Sequence, residues 1–413
     1  MMRLLNDRRQ SFRGAHDDPP NEGRAGTGDN FNYEVRFANG RSLVRGNGPP
    51  SFTFLLRDSG QYEWLQQADL YSAATAFVQG TFDVHGDIIS AIRFKKLTTR
   101  LGIRDVLAAV ATRFALRRLE AWFQSRHRAA GNIRFHYDRS NDFYQSFLDS
   151  RMVYSCAYFK DEARSLDEAQ MAKLDHVCRK LDLQRGESFL DVGCGWEALA
   201  IHAAERFGVQ ATGCTLSLQQ EFYASKAVLE KHLEHRVKIR ECDYRTLNGR
   251  FTKIASVGMF EHVGRKRLRE YFRKLFDLLD DQGLFLNHGI IRPEGGSDGP
   301  ETLFLQRKVF PGGELATLSM VLREAGGVGF EILDAENLRP HYAMTCRNWV
   351  ERLAANATEC LKYVDRETYR TWLLYLAGSA ISFESGSTDI YQILMAKRRL
   401  AKRKHLTRDY MYA

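Results

Sequence analysis

The sequence contains no uninterrupted apolar run of the roughly eighteen residues that a membrane-spanning helix needs. Its seven cysteines are odd in number and include no Cys-x-x-Cys pair, which argues against a disulfide framework and a structural zinc site. We therefore expect reduced thiols, most of them buried, and no metal site. Residues 1–32 lack the apolar segment of a signal peptide and read as a disordered tail, so a cytoplasmic location is expected.

What is abundant is positive charge. Lys and Arg number 60 against 51 Asp and Glu, a formal net charge of +9, which favours an anionic partner such as nucleic acid or an anionic membrane surface. Residues 104–130 combine a helical apolar stripe with many arginines and predict a basic amphipathic helix. Such a helix either lies on an anionic bilayer or, as the commoner case, links two domains and packs on the core.

The 413 residues are long enough for two domains. Residues 33–103 alternate as strands at 33–37 and 51–56, with a helix at about 62–77, and predict a small α+β domain. Residues 131–400 alternate between strands and helices, which predicts a doubly wound, mostly parallel α/β sheet. Residues 401–413 form a basic tail. The strands are expected at 188–192, 210–215, 237–241, 253–259 and 283–291, and the helices at about 168–183, 197–206, 217–232 and 265–280.

A glycine turn follows the first strand of this α/β region. Gly193 and Gly195 allow the backbone to approach a ligand closely, but the third glycine of the dinucleotide fingerprint is absent. Asp191 precedes the turn, as expected where an ammonium group rather than a pyrophosphate is received. The motif therefore points to S-adenosylmethionine, although a generic strand–turn–helix remains an open alternative.

Polar or reactive side chains lie near several predicted strand ends, namely Cys156, Asp243, Glu261 and His288. Each has an ordinary structural explanation: a buried thiol, a helix cap for Glu261, and a hydrogen-bonded core histidine. Their convergence on one sheet edge is what favours a site, because the carboxyl ends of parallel strands are where such folds bind ligands.

Several ordered sequence blocks resemble the cyclopropane-fatty-acyl-phospholipid synthase family, and the resemblance extends from about residue 33 to 400. The blocks are His136-Tyr137-Asp138, Asn141-Asp142-Phe143-Tyr144, Tyr154-Ser155-Cys156-Ala157-Tyr158-Phe159, Ala169-Gln170, Gly193-Cys194-Gly195-Trp196, Thr215-Leu216-Ser217 with Gln220, Gly258-Met259-Phe260-Glu261-His262-Val263-Gly264, Phe310-Pro311-Gly312-Gly313-Glu314-Leu315 and Leu338-Arg339-Pro340-His341-Tyr342.

This resemblance implies a Rossmann-like class I methyltransferase sheet, with a lipid-binding-like domain at 33–103. It implies that nine residues line the S-adenosylmethionine pocket: Tyr154, Ser155, Gly193, Gly195, Thr215, Leu216, Gln220, Asp243 and Tyr244. It also implies that a bicarbonate ion is held by Cys156, Glu261, His288, the backbone at Ile290, and Tyr375.

The implied reaction adds a methylene from S-adenosylmethionine to the cis double bond of an acyl chain in a membrane phospholipid. Ring closure needs a base for the carbocation, and bicarbonate is that base in this interpretation. The expected partners are an anionic inner membrane surface and unsaturated phospholipid, with no nucleic acid; a homodimer is left open. Aromatic residues are expected around the acyl chain: Phe143, Tyr144, Tyr158, Phe159, Phe304 and Phe310.

Three positions depart from the family pattern. Glu197 replaces the third glycine, Lys308 a tyrosine, and Leu374 the tyrosine that commonly precedes Tyr375. Glu197 lowers cofactor affinity if it points into the pocket and is harmless if it points out. The alternatives are a methyl or methylene transferase without ring closure, a non-catalytic lipid-binding relative, and a nucleic-acid methyltransferase. The last is disfavoured because no Asn-Pro-Pro-Tyr motif is present.

Overall fold

The computed structural model describes residues 31–99, 140–162, 164–296, 314–398 and 405–412. The expected helix over 104–130 lies outside these residues, as do the block at His136, Lys308, Phe304 and Phe310. Eleven strands are described: β1 Tyr33–Phe37, β2 Ser42–Arg45, β3 Phe52–Leu56, β4 Asp83–Gly86, β5 Ser188–Val192, β6 Gln210–Thr215, β7 Val237–Glu241, β8 Phe251–Val257, β9 Leu279–Ile291, β10 Phe330–Asn337 and β11 Asp389–Lys397.

Thirteen α-helices lie in the same described residues. They are α1 Ser59–Gln67, α2 Leu70–Val78, α3 Ile88–Thr98, α4 Asn141–Gln145, α5 Leu166–Lys180, α6 Ala198–Phe207, α7 Leu218–Glu230, α8 Leu268–Leu278, α9 Leu318–Val328, α10 Arg339–Ala355, α11 Ala357–Cys360, α12 Arg366–Glu384 and α13 Asp409–Tyr412. The four α/β helices expected from the sequence correspond to α5–α8, and the five expected strands to β5–β9.

The amino-terminal region forms a four-stranded sheet in the order β2-β1-β3-β4, covered by α1–α3. The helix expected at 62–77 is two helices, and the interruption has a local cause. Asp69 has extended backbone geometry, and its carboxylate accepts a hydrogen bond from the Ser72 backbone N–H at 2.7 Å, so it caps the start of α2. Strand β2 and helix α3 were not expected from the sequence.

The larger sheet has seven strands in the order β10-β11-β9-β8-β5-β6-β7. Strands β7, β6, β5, β8 and β9 are parallel, and β11 runs antiparallel to both β9 and β10. The expected doubly wound, mostly parallel sheet is therefore confirmed. Successive side chains of β5 point to opposite faces of the sheet and pack in different hydrophobic cores. Phe189 packs with α5 and α6, whereas Leu190 packs with α8. Helices thus cover both faces, which explains why the central strands β5 and β8 are buried along most of their length.

Helix α12 joins the two regions. The Arg370 guanidinium donates to the carbonyl oxygens of Phe77 at 2.7 Å and Phe82 at 3.2 Å, and it pairs with Asp83 at 2.5 Å. Arg93 of α3 forms an ion pair with Glu384 at the end of α12. These contacts fix the small sheet against the helical layer of the large one. In the part of the chain that the structure describes, no helix is long and apolar enough to cross a bilayer.

Candidate active site

The glycine turn after β5 forms one wall of a cavity of about 170 Å³ at the carboxyl end of the sheet. Gly193 has φ of 76°, and a Cβ there would lie 2.8 Å from Cγ of Met259, so a side chain at this position is excluded both by strain and by space. All nine residues expected to bind the cofactor line this cavity: Tyr154, Ser155, Gly193, Gly195, Thr215, Leu216, Gln220, Asp243 and Tyr244.

Ser155 is held from beneath by α5. Nζ of Lys173 donates to its hydroxyl oxygen at 3.0 Å, and Nε2 of Gln170 donates to its carbonyl oxygen at 2.8 Å. Lys173 and Asp191 are both buried and both line the cavity. Burial raises the pKa of Asp191 to about 7, against the opposing charge of Lys173, and lowers the pKa of Lys173 to about 8. The wall of the cavity therefore includes a buried lysine and a buried aspartate, of which the aspartate is partly protonated near neutral pH.

Glu197 points neither into the cofactor cavity nor into solvent. Its side chain is fully buried behind the glycine turn, where a Cβ on Gly213 of β6 would lie 1.8 Å from its Oε1. Neither carboxyl oxygen has a nitrogen or oxygen donor among the described residues, and the Cys194 thiol is the side-chain partner that opposes the rise of its pKa. Burial, reinforced by the charge of Asp191, raises the pKa of Glu197 well above its usual value. Its φ of 70° is the left-handed conformation that the replaced glycine would adopt at less cost.

A second, larger cavity of about 380 Å³ adjoins the first. All five residues expected to hold bicarbonate line it: Cys156, Glu261, His288, Ile290 and Tyr375. The cavity continues between α12 and the small domain, whose contribution is almost entirely apolar. Its walls there include Phe54, Leu65, Ala73, Phe77, Phe82, Ile88 and Ile92, with Lys95 as the one basic residue among those of that domain that the structure describes.

Glu261 lies in the turn after β8 and reaches strand β9. Its Oε1 accepts a hydrogen bond from the Ile290 backbone N–H at 2.7 Å, so this amide is engaged by Glu261 rather than open to an ion. Gly289 makes the approach possible, since a Cβ there would lie 2.0 Å from a ring carbon of Phe260. Burial raises the pKa of Glu261 to about 7, with the Ile290 hydrogen bond opposing the rise. Its Oε2 is buried and has no partner among the described residues.

His288 and Cys156 are both neutral in this environment. Burial and the nearby cations Lys173 and Lys180 lower the pKa of His288 well below its usual value. Its Nε2 is buried without a partner among the described residues. Burial raises the pKa of Cys156 far above the ordinary thiol range, and its Sγ donates to the Ala157 carbonyl oxygen at 3.2 Å. A nucleophilic thiolate role for Cys156 is therefore disfavoured.

The two cavities share part of their walls. Tyr154, Ser155, Val257, Gly258 and His262 line both. Burial lowers the pKa of His262 to about 4, so this residue brings no positive charge to the junction at neutral pH. A ligand in the smaller cavity and one in the larger cavity would meet at this shared wall.

Four aromatic residues expected around the acyl chain lie elsewhere. Phe143 and Tyr144 are fully buried against Trp372, and Tyr158 stacks between His176 and His341. Phe159 is also a core residue, and none of the four lines the larger cavity. The expectation was wrong because aromatic character alone does not distinguish a core from a channel.

Lys173 was missed from the sequence, although it lies on the apolar side of α5 between Gln170 and Val177. A lysine on the apolar side of a helix indicates a buried, partnered charge, because lysine is rarely buried without a partner. The cysteines agree better with expectation, because six of the seven are buried.

Residues 124–393 match the family model described as mycolic acid cyclopropane synthetase. A probable fatty acid methyltransferase of Pseudomonas putida is 41% identical over 360 residues, which cover 85% of this chain and 88% of the relative. Cyclopropane mycolic acid synthase MmaA2 of Mycobacterium tuberculosis is 35% identical over 277 residues, covering 64% of this chain and 96% of the relative.

Solved structures give the same result. Mycolic acid cyclopropane synthase CmaA1, complexed with SAH and CTAB, has 34% sequence identity and a TM-score of 0.62, covering 65% of this chain and 98% of that one. Coclaurine N-methyltransferase, at 19% identity and a TM-score of 0.59, supports the class I methyltransferase fold alone. The chain therefore belongs to the mycolic acid cyclopropane synthetase family and is an S-adenosylmethionine-dependent methyltransferase.

Proposed function

We propose that this enzyme adds a methylene from S-adenosylmethionine to the cis double bond of an unsaturated acyl chain in a membrane phospholipid and closes a cyclopropane ring. The observation that carries the proposal is the adjacency of the two cavities. One is lined by the residues expected to bind the methyl donor, and the other combines an apolar passage with the polar groups expected to hold a base.

The larger cavity suits an acyl chain because its outer part has apolar walls from both domains. Burying an acyl chain there removes apolar surface from water, which stabilises the complex by about 25 cal/mol per Å² of surface buried. A carbocation formed beside the shared wall would also be shielded from water, which would otherwise quench it. The aromatic side chains Phe54, Phe77 and Phe82 belong to this passage.

The polar end of the cavity suits a small anion that accepts hydrogen bonds from the groups around it. Two buried polar atoms there, Glu261 Oε2 and His288 Nε2, have no partner among the described residues. A carboxyl with a pKa near 7 is often protonated at neutral pH, so Glu261 can donate to an anion instead of repelling it. When bound there, bicarbonate would supply a base that takes a proton from the added methyl group. The protein groups hold that base and keep the site dry.

Two alternatives are kept. One is methyl or methylene transfer without ring closure on the same acyl chains, which is compatible with the name of the Pseudomonas putida relative, probable fatty acid methyltransferase. A lipid-binding protein without activity would require a defective cofactor site. The burial of Glu197 behind the turn argues against that reading, because its carboxyl does not line the cofactor cavity.

We further propose that the enzyme meets its lipid at the anionic inner surface of a membrane, from the cytoplasmic side. The net charge of +9 supports this, since each Lys or Arg near such a surface contributes about 1 kcal/mol. Binding to anionic vesicles should then weaken as salt is raised, while binding to neutral vesicles should stay weak throughout. Equal binding to both kinds of vesicle at high salt would contradict an electrostatic attraction.

The reaction is tested with purified enzyme, S-adenosylmethionine, bicarbonate and vesicles of cis-monounsaturated phospholipid. The acyl products are analysed by mass spectrometry and proton NMR, and trans-monounsaturated vesicles serve as the matched control. A gain of one CH2 with loss of the olefinic protons and appearance of upfield ring protons supports cyclopropanation. A gain of one CH2 with retained unsaturation supports the alternative without ring closure.

Dependence on bicarbonate is tested separately, in buffer freed of carbon dioxide. Turnover should fall sharply and return when bicarbonate is added. Unchanged turnover would contradict the assigned base while leaving the methyl transfer intact. Absence of both product and S-adenosylmethionine binding would favour the lipid-binding relative.

A further inference from the structure

The proton on His288 decides what this residue can do in the larger cavity. A neutral imidazole has one N–H group, and it donates into the cavity only if that hydrogen is on the nitrogen that faces it. Nε2 of His288 is buried, lies in a residue that lines the cavity, and has no partner among the described residues. The hydrogen-bond partner of Nδ1 therefore determines whether Nε2 is a donor or an acceptor.

Nδ1 of His288 contacts a glutamine on the neighbouring strand. Gln392 of β11 is directly opposite His288 of β9 in the antiparallel pairing, and its side chain is fully buried. Its amide nitrogen Nε2 lies 3.3 Å from Nδ1 of His288. In this amide orientation the nitrogen faces the ring, while Oε1 of Gln392 is buried without a partner among the described residues. An amide nitrogen is a donor only, so in this orientation Nδ1 accepts and the ring hydrogen is on Nε2.

We propose that Gln392 is a positioning residue that holds His288 in the tautomer with its hydrogen on Nε2, so that the ring donates a hydrogen bond to an anion in the cavity. Gln392 does not line the cavity itself. It acts through the histidine, as an outer residue that fixes the tautomer of an inner one. The opposite amide orientation would place Oε1 against Nδ1 and turn Nε2 into an acceptor, which would make His288 unsuitable for holding an anion.

The arrangement extends one strand further. In β10, Glu336 is opposite Gln392, and its carboxylate is already occupied by His176 at 2.7 Å and Lys180 at 2.5 Å. Because His176 and Lys180 hold Glu336, the carboxylate does not compete with Gln392 for His288. Burial, together with the positive charges of Lys173 and Lys180, lowers the pKa of His288 and keeps the ring neutral. The row across β10, β11 and β9 thus provides a neutral imidazole with a fixed tautomer.

The test is a long-range proton–nitrogen NMR spectrum of the full-length protein labelled with nitrogen-15 at histidine, between pH 6.5 and 8. The His288 resonances are assigned by their loss in His288→Gln. We expect an imine-type signal from Nδ1 and a protonated signal from Nε2. A hydrogen on Nδ1, or an imidazolium, would overturn the proposal. This readout is independent of turnover, so it decides the inference even if the bicarbonate part of the proposed function fails.

Two variants test the consequence, which rests on the proposed function. Gln392→Glu presents an acceptor to Nδ1, so it should move the hydrogen there and lower kcat/KM for bicarbonate about 10- to 100-fold. Gln392→Met, which is matched in length but has no donor, should give a mixture of tautomers and a smaller loss. The exposed Gln184→Glu is the charge control and should leave both readouts unchanged. An unchanged tautomer in Gln392→Glu would overturn the proposal.

Discussion

The backbone N–H of Ile290 donates to Oε1 of Glu261 at 2.7 Å and joins the turn after β8 to strand β9. This contact occupies one carboxyl oxygen and leaves the other, Oε2, buried at the cavity. The two oxygens therefore have separate tasks: one fixes the side chain, and the other is available to a ligand.

Glu261→Gln should retain the Ile290 contact but lose the exchangeable carboxyl proton. We expect turnover to fall about tenfold, because the amide is a weaker hydrogen-bond donor to the bound ion than the carboxyl group it replaces. The dissociation constant for S-adenosylmethionine should change less than twofold, since Glu261 does not line the cofactor cavity. Product formation and calorimetric titration measure the two effects, with Glu230→Gln on the surface of α7 as the control. An equal loss of cofactor binding would contradict the separation of the two sites.

The pH dependence should report the proton on Glu261. Its pKa is raised to about 7 by burial, so the carboxyl is protonated below that pH and charged above it. Because a charged carboxylate repels an anion, kcat/KM for bicarbonate should decline above about pH 7, approaching tenfold per unit. The measurement holds the bicarbonate concentration fixed at each pH. Glu261→Gln should abolish this decline, and a profile shared by both proteins would assign it to another group.

Glu197→Gln should stabilise the protein at alkaline pH. The folded chain holds the Glu197 proton to a higher pH than the unfolded chain does, because burial raises the pKa of this carboxyl. Between the two pKa values the unfolded state binds fewer protons, so the free energy of unfolding falls as pH rises. A neutral amide removes this loss. Thermal unfolding should show a Tm gain for the variant at pH 8 that shrinks towards pH 5, and a gain independent of pH would contradict a buried acid.

Ala74→Phe should obstruct the outer part of the acyl passage. Ala74 belongs to α2 and lines the larger cavity at its small-domain end. We expect kcat/KM for a long-chain phospholipid to fall more than about tenfold, whereas cofactor affinity should be unchanged. Overpacking costs about 1–3 kcal/mol of stability, so Tm is measured in parallel. Ala74→Ser is the small control. Full activity in the phenylalanine variant would exclude the small domain from the acyl path.

Much of the α/β region was predictable because each strand ends in a clear turn. Strands β5, β6 and β7 agree with the expected ranges 188–192, 210–215 and 237–241 to the residue. Strands β5 and β6 are largely buried, since helices cover both sides of the sheet there, whereas Val237 and Ile239 give β7 an alternating pattern. The small domain was harder to predict, because β2 is mostly exposed and has little hydrophobic signal.

Contacts between residues far apart in the sequence could not be predicted from local sequence patterns. Nothing local indicates that Arg370 binds the loop before β4, or that Gln392 is opposite His288. The direction of the Glu197 side chain could not be predicted either. Its carboxyl occupies space that is open because Gly213 of β6, sixteen positions later in the chain, has no side chain. The residues that the resemblance assigned to the cofactor and to the anion, by contrast, line two adjoining cavities. The resemblance did not indicate that the Ile290 amide would donate its hydrogen bond to Glu261.

The region that matches the family model begins at residue 124, whereas one side of the outer part of the larger cavity comes from residues 54–95. On the proposed function, part of the contact with the acyl chain is therefore supplied by a stretch of the chain that precedes the matched region. We expect substitutions in that stretch to change acceptor preference more than cofactor binding, since its residues line the larger cavity and not the smaller one. A new acceptor specificity is then best sought by varying α2 and α3.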